Sequence, residues 1–232
     1  MRLVFFLTLC FSTLMLHAQK NIHELWTNEL QRYVDKQGNV NYETWKKNPQ
    51  KLVDYLKTLE ENPPQEYWTK NDSLAYFINV YNAATVKLIL DNYPLKSIRH
   101  LITPWRFKVF QLHDKKVSLN HIEHEILRKM NEPRIHFAIN CASASCPKLL
   151  NKAFYSHTMG KQLKKATIEF INDPKRNQIT KDKLYLSRIF QWFAKDFGTK
   201  KERLAFINKH AQQPIDTHAK VKFLNYDWQL NE

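Results

Sequence analysis

Glycine is scarce in this chain: Gly38, Gly160 and Gly198 are the only three among 232 residues. Glycine supplies the positive-φ backbone and the side-chain-free approach that the tightest loops require. Phosphate-cradling loops of the Walker and dinucleotide types need several such positions close together, and no segment here offers them. A Gly-x-Ser-x-Gly nucleophile elbow is missing as well. The common nucleotide-binding enzymes and the ordinary serine hydrolases are therefore poor candidates.

The first eighteen residues have the layout of a cleavable secretory signal. Met1-Arg2 gives a positive start, an apolar run extends from Leu3 to Leu16, and Ala18 precedes polar Gln19. The run is too short to span a bilayer, which takes about 20 apolar residues. The expectation is an exported protein, periplasmic or secreted. Residues 19–232 form one globular domain, and no later segment is apolar enough to cross a membrane. Hydrophobic residues make up 43% of the chain and aromatic ones 13%, enough for a sizeable core. The formal charge of +14 favours anionic surfaces such as lipid headgroups or acidic polysaccharide. The basic residues are spread along the chain, so no specific nucleic-acid site is expected.

Apolar periodicity predicts a helix over 21–35, a short extended piece at 40–42 and a second helix from about 44 to 59. The clearest helix covers roughly 72–91, where Leu74, Phe77, Ile78, Tyr81, Thr85 and Leu88 recur at three- and four-residue steps. Asn71 or Asp72 is placed to cap it. A β-hairpin is expected over 106–112 and 116–119, and a helix over 120–130. Residues 134–140 alternate as a strand does, with Ile135, Phe137 and Ile139 on one side. Helices follow near 155–172, 188–196 and 200–210, with strands near 183–186 and 221–226. The fold class is α+β: a mostly helical single domain with a small, mainly antiparallel sheet.

The chemistry concentrates in His136-Phe-Ala-Ile-Asn-Cys141-Ala-Ser-Ala-Ser-Cys146-Pro147. Cys141 would end the strand. Cys146 would cap a helix opened by Pro147, where the helix N-terminus favours a thiolate. Four readings of the two cysteines stand side by side: a disulfide, a pair of buried inert thiols, a reactive thiol, or part of a metal site. His136 is a candidate base. A second constellation is His121-Ile-Glu123-His124-Glu125, which lacks the His-Glu-x-x-His spacing of the zincins. On a helix, His124 lies beside Arg128 by four-residue spacing. The third is Asn79 and Asn82, three apart inside the most apolar helix. Buried there, they need hydrogen-bond partners or cost about 1–3 kcal/mol each.

Five ordered motifs together resemble the family called domain of unknown function 547. They are Ala75-Tyr-Phe-Ile-Asn79-Val-Tyr-Asn82-Ala, Ile122-Glu123-His124-Glu-Ile-Leu-Arg128, the His136 to Pro147 segment, Leu186-Ser187-Arg-Ile-Phe-Gln-Trp-Phe-Ala-Lys-Asp196-Phe197, and Tyr226-Asp227-Trp228-Gln-Leu-Asn231. The likeness spans about 65–232. In the plant branch of the family the position of Cys146 is often serine. That weakens a disulfide or a two-cysteine metal site as the family's shared purpose.

The first functional expectation is a thiol enzyme of the acyl-transfer or amide-hydrolysis class. Cys141 or Cys146 is its nucleophile and His136 or His124 its base, with Glu123, Asn79 or Asn82 orienting the base. Its substrates would be peptides, peptidoglycan or another anionic component of the cell envelope, and no cofactor or tightly bound metal is expected. The second expectation is a non-catalytic envelope binding module closed by a Cys141–Cys146 disulfide. The third is a zinc site made by His124, His136, Cys141 and Cys146, donor types that suit tetrahedral zinc.

Overall fold

A helix whose apolar residues cover every side must sit in the middle of a fold. Helix α4, Lys70–Asn92, has this character: Leu74 to Val86 are buried without interruption. In the computed structural model, which describes residues 22–216 and 218–232, the other elements pack around it. The leader-like residues 1–18 lie outside the described residues. Contrary to the sequence expectation, α4 is long and apolar enough to cross a membrane, yet 89% of its most apolar window is buried within the protein, which marks it as the core helix. Its cap is Thr69, two or three residues earlier than expected. The Thr69 side chain accepts from the Asp72 N–H, and the Asp72 carboxylate accepts from the Thr69 N–H, a reciprocal capping box.

Ahead of α4 come α1 (Glu24–Tyr33), α2 (Tyr42–Lys47) and α3 (Gln50–Glu61). The single helix expected over 44–59 is two, because Asn48 leaves the helical region in front of Pro49. Trp26, Trp45, Tyr42 and Tyr55 from these helices join α4 in the first core. The hairpin is present as β1 (Lys108–Leu112) and β2 (Lys115–Ser118), antiparallel across a His113-Asp114 turn. Here His113 takes the left-handed conformation at φ 50°, as do Thr103, Asn131 and Ala142 elsewhere. In a chain with so few glycines, other residues occupy these positions.

Helix α5, residues 119–130, starts with a normal turn at Leu119–His121. It widens into a π-type stretch over Ile122–Leu127 and tightens to a 3-10 turn at Arg128–Met130. After α6 (Met159–Ile171), β3 (Gln178–Ile179) pairs antiparallel with β4 (Lys183–Leu186). Strand β4 pairs in parallel with β5 (Lys220–Phe223), in register from Lys183↔Lys220 to Leu186↔Phe223. Helices α7 (Ile189–Trp192) and α8 (Lys200–His210) complete a second core around Phe137, Phe170, Phe190 and Phe197. The α+β, mostly helical class holds, and two of the three strand pairings are antiparallel.

Residues 134–140 are not a strand. Pro133–Phe137 is a 3-10 turn, started by Pro133 and by the Glu132 side chain accepting the Arg134 N–H. Every residue from Ile135 to Asn140 is buried, so the apparent alternation does not separate an inner from an outer face. No helix begins at Pro147 either. The Cys146 N–H instead turns back to the Ser143 carbonyl at 2.9 Å. Helix-dipole activation of Cys146 is therefore not available.

Candidate active site

Asn79 and Asn82 explain how a loop without helix or sheet stays in place at the centre of the protein. Asn79 donates to the Phe154 carbonyl at 2.8 Å and accepts from the Phe154 N–H at 3.0 Å. Asn82 donates to the Ala138 carbonyl at 3.0 Å and accepts from the Asn140 N–H at 2.8 Å. Each amide plays the part of a neighbouring strand, satisfying one donor and one acceptor of a buried loop. The nitrogen and oxygen of both amides have partners, as burial requires, but neither amide orients a histidine. Asn140 continues the scheme: its side chain accepts from the Ala142 N–H at 2.8 Å and donates to the Pro147 carbonyl at 2.7 Å. These bonds hold Ala142 at φ 58°, a left-handed position that costs an ordinary residue about 1 kcal/mol or more.

The loop so braced carries a Cys141–Cys146 disulfide. Neither sulfur is a free thiol in this state, which corrects the expectation of an unpaired nucleophile. The disulfide forms one wall of a cavity of about 270 Å³ between the two cores. Its wall also includes Tyr81, Glu123, His124, His136, Tyr226 and several large aromatic rings. All five sequence motifs thus send at least one residue to the same cavity or to the groups behind it.

Glu123 is buried, with Tyr81 donating to its carboxylate at 3.2 Å. Burial pushes its pKa up to about 7, and the negative Asp196 adds to the rise; the Tyr81 bond and the Arg128 charge only partly offset this. Glu123 is therefore poised to gain or lose a proton near neutrality. It does not orient either histidine, contrary to the expectation. That part belongs to Asp196, which the sequence pattern places at the end of a helix.

Asp196 lies in a 3-10 turn at Ala194–Phe197, behind α7. Arg128 grips it with two bonds of 2.6 Å, and His136 Nε2 donates to it at 2.7 Å. Burial alone would raise the Asp196 carboxyl, but the bonds from Arg128 and His136 outweigh it and hold the group well below the usual carboxylate range. Burial disfavours the charged ring of His136; the bond to Asp196 and its charge favour that form, and the Arg128 and His124 charges oppose it. The net effect is a lowered His136 pKa, with burial the largest cause. With Nε2–H given to Asp196, Nδ1 carries the lone pair. That atom is buried and has no hydrogen-bond partner. Phe193 stacks on the ring at 4.0 Å and fixes its plane.

His124 is arranged differently. Arg128 donates to its Nδ1 at 2.8 Å, so the acceptor nitrogen of the neutral ring is already used. Burial and the Arg128 charge both lower its pKa. His124 is a donor into the cavity through Nε2–H rather than a base. The π-type widening of α5 sits at Glu123 and His124, a place where such irregularities often serve function.

The tail supplies the last pieces. Tyr226 O–H lies 3.4 Å from Cys141 Sγ and 3.3 Å from Cys146 Sγ. Trp192 and Trp228 stack at 5.7 Å, with the Tyr226 ring 4.5 Å from Trp228, to form an aromatic rim. The tail is docked by Val40 N–H to the Asn231 carbonyl at 2.7 Å and by Tyr42 O–H to the Asn231 side chain at 2.8 Å. Asp196, Arg128, Tyr81 and Tyr226 were not singled out from sequence. The one usable signal was the four-residue step from His124 to Arg128. The zinc alternative finds no support in geometry: among the described residues, no three His, Cys, Asp or Glu side chains are grouped to hold a metal.

Residues 65–171 match a family described as protein of unknown function, DUF547. The match ends before the motifs at 186–197 and 226–231. No curated protein and no solved structure shows a significant match to the chain.

Proposed function

From a chain whose residues 65–171 belong to the DUF547 family, we propose a thiol-dependent acyl transferase or amide hydrolase with Cys141 as nucleophile once the disulfide is open. The observation that carries this reading is the Asp196–His136 pair, 2.7 Å apart, whose free Nδ1 belongs to a ring lining the same cavity as both sulfurs. In the reaction His136 Nδ1 takes the proton from Cys141 Sγ, and the thiolate attacks the carbonyl carbon of the substrate. The imidazolium then returns the proton to the departing amine, leaving a thioester that water or a second amine resolves. Asp196 holds the ring, and Arg128 holds Asp196. Glu123, near 7, is a second proton carrier in the cavity.

The leader-like residues 1–18 and the charge of +14 support a setting in the cell envelope, periplasmic or secreted. Peptide, peptidoglycan or another anionic component of the envelope is the substrate class that fits such a setting. The aromatic rim offers apolar ring faces to the chain flanking the amide.

A Cys146→Ser chain tests this, because it frees Cys141 without a reductant. With p-nitrophenyl acetate it is expected to take up one acetyl group per chain, located on Cys141 by peptide mass. Adding His136→Gln is expected to slow acylation about 10²- to 10⁴-fold. No acetyl on Cys141, or a rate indifferent to His136, would overturn the proposal. The disulfide itself favours a second reading, in which the same cavity binds an envelope ligand without covalent chemistry; that reading gains if acylation is absent.

A further inference from the structure

The two sulfurs of the disulfide are not equivalent. Cys146 is 3% exposed, whereas Cys141 is half-buried and reachable from the cavity. Both sulfurs lie near hydroxyls, Cys141 Sγ at 3.4 Å from those of Ser143 and Tyr226 and Cys146 Sγ at 3.3 Å from that of Tyr226, but only Cys146 Sγ also receives a backbone donor, the Cys141 N–H at 2.9 Å. Donors aimed at a sulfur stabilise it as a thiolate, and the sulfur better stabilised as a thiolate is the better leaving group. The backbone donor is fixed by the loop, with the next N–H, that of Ala142, held by the Asn140 side chain.

We propose that this disulfide is exchange-active, with an external thiol attacking Cys141 Sγ and Cys146 Sγ departing as a thiolate held by the Cys141 N–H and the Tyr226 O–H. The co-reactant is a small thiol or dithiol. Its thiolate forms a bond to Cys141 Sγ as the Cys141–Cys146 bond breaks, and the electron pair goes to Cys146 Sγ. A second thiolate of the reductant then attacks the reductant sulfur in the mixed disulfide. The reductant leaves as its own disulfide, and the electron pair passes to Cys141 Sγ. Two electrons and two protons move from reductant to protein, leaving Cys141 and Cys146 as thiols. This activity rests on the thiol site proposed above and supplies the step that frees its nucleophile.

The test uses the unsubstituted chain in its native state and glutathione as the probe. After brief exposure the reaction is quenched with N-ethylmaleimide in mild acid, and fragment masses across residues 135–148 locate each adduct. Glutathione is expected on Cys141, with N-ethylmaleimide on Cys146. Tyr226→Phe is expected to shift the equilibrium with glutathione toward the disulfide by about tenfold, the loss of one hydrogen bond to a charged sulfur. Glutathione found first on Cys146, no adduct without denaturant, or an equilibrium indifferent to Tyr226 would overturn the assignment. Cys146→Ser carries no disulfide, so failure of exchange and failure of acyl chemistry are read from different proteins.

Discussion

Glu123 sets the pH behaviour of the site. Its ordinary value of 4.5 is raised to about 7 by burial. Between those values the folded chain binds more protons at this position than the unfolded chain does, so stability falls as pH rises through the window. Above pH 7 the full cost of the buried charge is present, roughly 3 kcal/mol for a shift of this size. Glu123→Gln removes the titration, and its amide oxygen can still accept from Tyr81. The variant is therefore expected to gain stability relative to the parent from pH 4.5 to 7 and to keep that gain above it. Melting temperatures of both proteins between pH 4 and 8.5 check this. A difference that is constant with pH, or that favours the parent in alkali, would contradict it. Asp196 works in the opposite sense, held ionised by Arg128 and His136. Two carboxyls in one site, one held charged and one near neutrality, give it a fixed anion and a mobile proton.

At the scale of elements, α4 replaces a missing sheet. Asn82 gives residues 138–140 the bonds a neighbouring strand would have given, so Asn82→Leu should leave the Asn140 N–H and the Ala138 carbonyl buried and unpaired. At about 1–3 kcal/mol for each group, urea unfolding is expected to show a loss of at least about 2 kcal/mol. A loss below about 0.5 kcal/mol would mean the loop finds other partners. The same device explains where sequence patterns were informative and where they failed. Strand β4 was legible because its burial follows the period of the element: Leu184 and Leu186 are fully buried while Lys183 and Tyr185 point outward, and α4 was legible by the length of its apolar run. Residues 134–140 misled because a segment buried on every side shows alternation that means nothing. Pro147 suggested a helix that does not form, whereas Pro133 opens a 3-10 turn. The two-residue strand β3 is too short to carry any pattern.

Across the whole molecule the site depends on distant segments meeting. His136 pairs with Asp196 sixty residues later, and Cys141 meets Tyr226 eighty-five residues later. Sequence motifs supplied the right segments, since each lies in or behind the cavity, but not the partners within them. Pairing across such distances is fixed by the packing of two cores, which local spacing does not encode. Asp196 and Tyr226 also lie beyond residue 171, where the family match ends, so a fragment limited to that match would lack the orienting carboxylate and the aromatic rim. The proposed chemistry has His136, held by Asp196, acting on the sulfur of Cys141. Its most direct measurement is the rate of iodoacetamide alkylation of Cys141 against pH in the Cys146→Ser chain, with and without His136→Gln. An unperturbed thiol titrates near 8.5. Half-maximal reactivity is expected below about pH 7.5 with His136 present, moving to about 8.5 or above when it is replaced. Profiles centred near 8.5 in both proteins would contradict it.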